Sequence, residues 1–152
     1  MERHNVLSRE EMEARYEISL ENYSKTINIE ALTAIEIVKK QIFPAGIKFS
    51  TKIAKSINAI NATGLGIDVS AQGDLLKEVS GLIASMSTKV KAIEESVLAA
   101  EKIEDTYEQA RSYRFCVFEN MNSLREDVDS LEMLVDEEIW PLPSYTELLF
   151  NI

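Results

Sequence analysis

One histidine, one cysteine, three prolines and five glycines are all that this 152-residue chain has of the residues that most often mark catalysis, cross-linking or turns. With Cys116 alone, no intramolecular disulfide can form, in keeping with a reducing compartment. Its neighbours Phe115, Val117 and Phe118 point to a buried, inert thiol. His4 lies in a polar leader with no orienting partner and no ligand cluster, which argues against base catalysis. A carboxylate-bridged metal site in a four-helix bundle would need Glu-x-x-His pairs, and with a single histidine none exists. No apolar run approaches the roughly 20 residues that cross a bilayer. The start Met1-Glu2-Arg3-His4-Asn5 has no apolar secretion core, so a cytoplasmic chain is expected.

Hydrophobic residues, by contrast, make up 45 % of the chain, enough for one domain's core at this length. The formal charge of -10 is unevenly placed. Lys39 to Lys91 holds eight Lys against Asp68, Asp74 and Glu78, whereas Glu94 to Glu138 holds fourteen acidic residues against Lys102, Arg111, Arg114 and Arg125. If these blocks lie antiparallel their outer faces attract, selecting orientation more than adding stability. The acidic block argues against nucleic acid, which needs clustered cations. Glu126-Asp127-Val128-Asp129 and Asp136-Glu137-Glu138 lack the central glycine and ligand spacing of a calcium loop and are read as solvated faces.

Apolar spacing predicts helices throughout. Ser8 and Glu11 have capping-box spacing, followed by a stripe of Tyr16, Leu20, Tyr23, Ile27, Ala31, Ala34, Val38 and Ile42. Ile18, Ile29, Leu32 and Ile35 widen this stripe, so the first helix is expected to be covered on more than one side. Pro44 should kink or break it, because its ring clashes with the preceding turn and it lacks an N–H. Phe49, Ile53, Ile57 and Ile60 then carry a second piece, closed by the turn residues Asn61 to Gly66. Gly64-x-Gly66 is no phosphate loop, since no strand precedes it and no Gly-Lys-Ser/Thr follows.

From Val79 the positions Ile83, Met86, Val90, Ile93, Val97 and Ala100 alternate steps of four and three, the register of left-handed helix packing. Asp105 and Glu108 form a second capping box. Beyond it Tyr107, Ala110, Arg114, Val117, Met121, Leu124, Val128, Leu131 and Val135 share one face, with the Arg114 stem expected at the core edge. Tyr16, Tyr23, Tyr107 and Tyr113 read as packing residues. The expected fold is therefore all-α: one antiparallel bundle of three long helices, the first kinked or broken at Pro44, plus a short C-terminal helical tail. The boundaries are helices at 8–43, 45–61, 71–103 and 106–138 and a Pro-containing tail at 139–152. In that tail Trp140, Tyr145, Leu148, Leu149 and Phe150 are apolar enough to require burial, and they are the candidate docking residues.

Two stretches carry a resemblance: Arg15 to Leu32, and Trp140-Pro141-x-Pro143-x-Tyr145-x-x-Leu148-Leu149-Phe150. Together they resemble the C-terminal helical region of type III glutamine synthetase, an ATP-dependent glutamate-ammonia ligase. The resemblance implies ATP and Mg or Mn as cofactors of the parent enzyme, and as partners the catalytic domain of the same polypeptide and neighbouring subunits of a dodecamer. It places catalytic, nucleotide and metal residues on preceding domains, so none is assigned here and the chain alone is expected to be inactive. Met1 then reads as an artificial or truncated start and Ile152 as lying near the native end. The competing expectation is a free-standing helical adaptor with no ligase context.

Overall fold

The computed structural model describes residues 8–143. It is all-α, with three helical runs of 54, 32 and 27 residues and no strand among the described residues. The first run comprises α1 (Arg9–Ile37), a π turn (Val38–Ile42) and α2 (Phe43–Ala62). The second is α3 (Ser70–Glu101). The third comprises α4 (Thr106–Ser112), a π turn (Tyr113–Val117) and α5 (Phe118–Glu132). Two compact units are formed: one from the residues up to Ala34 with Lys91–Asn122, the other from Ile35–Val90 with the residues from Ser123 onward.

Both expected caps set helix starts, the first as a full capping box and the second through its N-cap aspartate alone. The Ser8 N–H donates to Glu11 Oε2 at 2.8 Å while the Glu11 N–H donates to Ser8 Oγ at 3.2 Å, so each side chain satisfies a first-turn amide. At α4 the Glu108 N–H donates to Asp105 Oδ1 at 2.8 Å. The stop after α2 depends on glycine. Gly64 and Gly66 have φ of 69° and 66°, the left-handed region in which a Cβ is strained. Thr63 Oγ1 donates to the Ile60 carbonyl and accepts from the Leu65 N–H, closing the helix end.

The seam expected on α3 is present. Val79, Met86, Val90, Ile93, Val97 and Ala100 are all buried. In the first unit Ser24, Ile27 and Ala31 of α1 join Ala110, Tyr113 and Val117 as buried residues. In the second, Ile35, Val38, Ile42, Ala45, Phe49 and Ile53 are buried together with Leu124, Leu131 and Val135. Gly46 is there because the helices approach closely: a Cβ at this position would sit 3.1 Å from Ile83 Cδ1 and 3.4 Å from Leu131 Cδ2.

Pro44 does not break the first run. The helix widens one turn ahead of it, and the Phe43 N–H donates to the Val38 carbonyl in an i→i+5 bond. The carbonyls before the proline thus leave the tight four-residue repeat into which its ring would have collided.

A second π turn, Tyr113–Val117, corrects two expectations. The extra residue in that turn carries both Tyr113 and Val117 inward and leaves 114–116 outside. Cys116 is accordingly exposed rather than buried. Arg114 lies outside the seam, over the ring of Phe118 at 4.8 Å and ion-paired with Glu119 at 2.7 Å.

The last helix ends at Glu132, six residues before the expected 138. The Asp136 carbonyl accepts from the N–H groups of Ile139 and Trp140, while Asp136 Oδ1 accepts from the Glu138 N–H. Asp136 thereby starts a separate turn that competes with helix continuation.

The acidic cluster around Asp127 is also corrected, because Asp127 is only 14 % exposed. In the second unit it pairs with Lys89 at 2.8 Å and accepts from Ser85 Oγ, while Lys89 also donates to the Ser123 carbonyl. This network binds α3 to α5 in antiparallel order. Asp127→Ala should lower stability by about 1–3 kcal/mol, as loss of hydrogen bonds to a charged group does, measured by urea unfolding. A change within experimental error would contradict that role.

Candidate docking surface

Of the five candidate docking residues, Trp140 lies within the described residues; Tyr145, Leu148, Leu149 and Phe150 lie outside them. Trp140 follows the Asp136 turn, and its backbone N–H closes that turn at 3.0 Å. The ring is half-buried, yet its indole Nε1 is buried without a hydrogen-bond partner. A tryptophan donor usually finds an acceptor when removed from water, so this one is costly as it stands. Pro141 has no N–H and favours extended backbone in the residue before it, which keeps the chain from resuming a helix after Trp140.

An ion pair anchors the turn. Lys52 Nζ of α2 donates to Asp136 Oδ2, linking the lysine-rich block to the acidic one. That hydrogen bond, followed by the one from the Glu138 N–H, holds the Asp136 carboxyl below the usual carboxylate range. Asp136 in turn raises the Lys52 ammonium above the usual lysine value. The two signs define a window. The aspartate contribution is present above its unfolded value, about 3.9, and is lost as pH falls through the depressed folded value. The lysine contribution is present below about 10.4 and is lost as pH rises through the raised folded value.

Helix α1 carries a second exposed apolar surface: of the four residues expected to widen its covered stripe, Ile35 is buried, whereas the other three are not. Ile18, Ile29 and Leu32 are 57 %, 65 % and 52 % exposed, whereas Ile27 and Ala31 are buried. Ile29 and Leu32 are three residues apart and share one helical face. Sequence periodicity had merged this face with the inward stripe because both recur at helical spacing. The same holds for Tyr16 and Tyr107, which are 55 % and 50 % exposed, while Tyr113 is the tyrosine that packs inside. Burial first, and then the charge of Glu101, pushes the Tyr113 hydroxyl above its ordinary pKa.

No group of three or more His, Cys, Asp or Glu side chains that could hold a metal ion is found among the described residues. No helix among them is long and apolar enough to cross a membrane.

Residues 1–61 match the family model of the glutamine synthetase C-terminal domain. Over 150 residues the chain is 31 % identical to a glutamine synthetase of Butyrivibrio fibrisolvens, covering 99 % of this chain and 21 % of that protein. It is 27 % identical to a glutamine synthetase of Bacteroides fragilis, covering 96 % of the chain and 21 % of the relative. A type-3 glutamine synthetase of Dictyostelium discoideum is 29 % identical, with 96 % and 20 % covered. The chain thus spans about a fifth of the length of the curated relatives it matches.

Replacing Lys52 by Met should move the Asp136 titration midpoint upward toward about 3.9, read by NMR of the side-chain carboxyl. An unmoved midpoint would contradict the anchoring role of the pair. The family match over residues 1–61 and the alignments over nearly all of this chain point the same way: the chain belongs to the family of the glutamine synthetase C-terminal domain.

Proposed function

We propose that this chain is the non-catalytic helical part of a type III glutamine synthetase, and that it packs against the catalytic domain or neighbouring subunits to support oligomer assembly. The observation that carries the reading is the outward face of α1, where Ile29 and Leu32 stand more than half exposed. Covering the exposed half of each side chain contributes about half of the roughly 1.5–3 kcal/mol that full burial gives, enough to bias a docking equilibrium.

The parent enzyme would be an ATP-dependent ligase that joins ammonia to glutamate with the help of divalent metal ions. The described residues offer no ligand set fitted to those ions, so the chemistry is assigned to the remaining four-fifths of such a polypeptide and the partners of this chain to the same assembly. A dodecameric parent fits a part whose contribution is surface rather than a reacting group.

Two comparisons test the reading. Ile29→Asp with Leu32→Asp in a full-length enzyme carrying this chain should shift the assembly to smaller species by light scattering, while the same changes leave the isolated 152-residue chain folded by circular dichroism. An unchanged oligomer with unchanged glutamine formation would reject the docking role of that face. Removal of residues 140–152 should likewise impair assembly or solubility; retention of both would reject a role for the tail.

A further inference from the structure

Helix α1 runs on past the other described residues of its unit. The α3–α4 connection comes level with it at Asn28, whose Nδ2 donates to Glu101 Oε1 at 3.5 Å, and at Glu21 and Ser24, which line one cleft with Ile103 and Glu104. Full burial on α1 begins there, at Ser24, whose hydroxyl has no hydrogen-bond partner. Every described residue from Ser8 to Ser19 is exposed. The bare part of the helix extends about 16 Å at 1.5 Å per residue, roughly three turns.

These turns are not polar all round. Met12, Tyr16, Leu20 and Tyr23 follow at steps of four and three and lead into Ile27 and Ala31, which are buried. Met12 and Tyr16 are 58 % and 55 % exposed. They stand on the face that the unit covers further along, and not on the outward face of Ile29 and Leu32. A helical stretch of three turns without tertiary cover is marginal in water, because most helical stability comes from packing of the apolar face. At the foot of the bare face lies a recess of about 370 Å³ lined by Leu20, Tyr23, Tyr107 and Phe115, with Arg111 and Arg114 but no acidic side chain on its wall. Arg111 meets Glu108 at 3.4 Å and Arg114 meets Glu119 at 2.7 Å, each through Nη1, which leaves further guanidinium N–H groups for a second acceptor.

The place of the chain in its polypeptide names what covers this face. The family is a C-terminal domain and the alignments cover about a fifth of each relative, so in the proposed parent the other four-fifths lies ahead of this chain and joins it through residues 1–7. Seven residues span at most about 25 Å, so that body is held beside the bare turns at high effective concentration. We infer that Met12, Tyr16, Leu20 and Tyr23 dock on the preceding domain of the same polypeptide, through a surface that is apolar along its middle and carries carboxylates toward Arg111 and Arg114. The inference rests on the type III glutamine synthetase reading but uses a different face of α1 from Ile29 and Leu32.

Amide hydrogen exchange in a full-length enzyme carrying this chain, set beside the 152-residue chain alone, is the test. Exchange at residues 12–22 should be slower by roughly tenfold or more in the full-length protein. Equal rates would overturn the inference. Met12→Gln with Tyr16→Gln, at exposed positions where folding of the isolated chain is not at stake, should abolish the slowing while its circular dichroism stays unchanged. Slowing that survives both changes would contradict docking through this face. Subunits separated by dilution should keep the slowed exchange, because the partner is tethered to them; loss on separation would give the surface to a neighbouring subunit and overturn the assignment. Failure here is distinct from failure of the assembly reading. Equal rates at 12–22 beside a dissociated Ile29→Asp, Leu32→Asp variant reject this face alone, whereas an intact assembly in that variant with the slowing retained rejects the other.

Discussion

The burial of one apolar seam along α3 is the constraint on which the other features depend. From Val79 to Ala100 the inward positions never leave one face, and the helices opposite must keep their own apolar positions in step with it. A straight helix of 3.6 residues per turn drifts against a 3.5 repeat, so a long partner loses alignment unless something resets it. The two π turns are where the partner runs deviate from the regular helical repeat. At Tyr113–Val117 the wide turn holds both end residues inward, and at Val38–Ile42 it does the same for Val38 and Ile42 while making room for Pro44.

Charge plays a secondary part. The lysine-rich and acid-rich blocks meet in the second unit at Lys52 with Asp136 and Lys89 with Asp127. The first pair joins an exposed lysine to a partly covered aspartate and sets where the chain turns after α5. The second is mostly shielded from water and links two helices through three groups at once. Other ion pairs, such as Lys77 with Asp74 or Arg9 with Glu13, lie along single helices in solvent and contribute little.

The helix starts at Ser8 and Asp105, the α3 seam and the glycine stop after α2 were legible in the sequence because each rests on local spacing or local backbone chemistry. What escaped was longer in range. A π turn has no residue signature of its own, so regular spacing puts Arg114 on the stripe and reads Cys116 as interior. Periodicity reports that Ile29 and Leu32 recur at helical spacing but not whether anything lies over them. Asp127 sits in a run of acids that reads as surface, and only the arrival of Lys89 and Ser85 from another helix makes it interior. The orphaned Ser24 hydroxyl had no signal in the sequence at all. The family was legible at the two stretches Arg15 to Leu32 and Trp140 to Phe150, the second of which extends beyond the described residues.

The most direct measurement of the account is the unfolding free energy of Ile93→Ala, at a fully buried seam position, set beside a variant lacking the exposed Asp74 and Lys77 pair. Truncation at the seam should cost about 2–5 kcal/mol, as isoleucine-to-alanine changes in packed cores do, and loss of the pair should stay within about 1 kcal/mol. Equal losses, or a larger one from the surface pair, would contradict a fold held by its apolar seam.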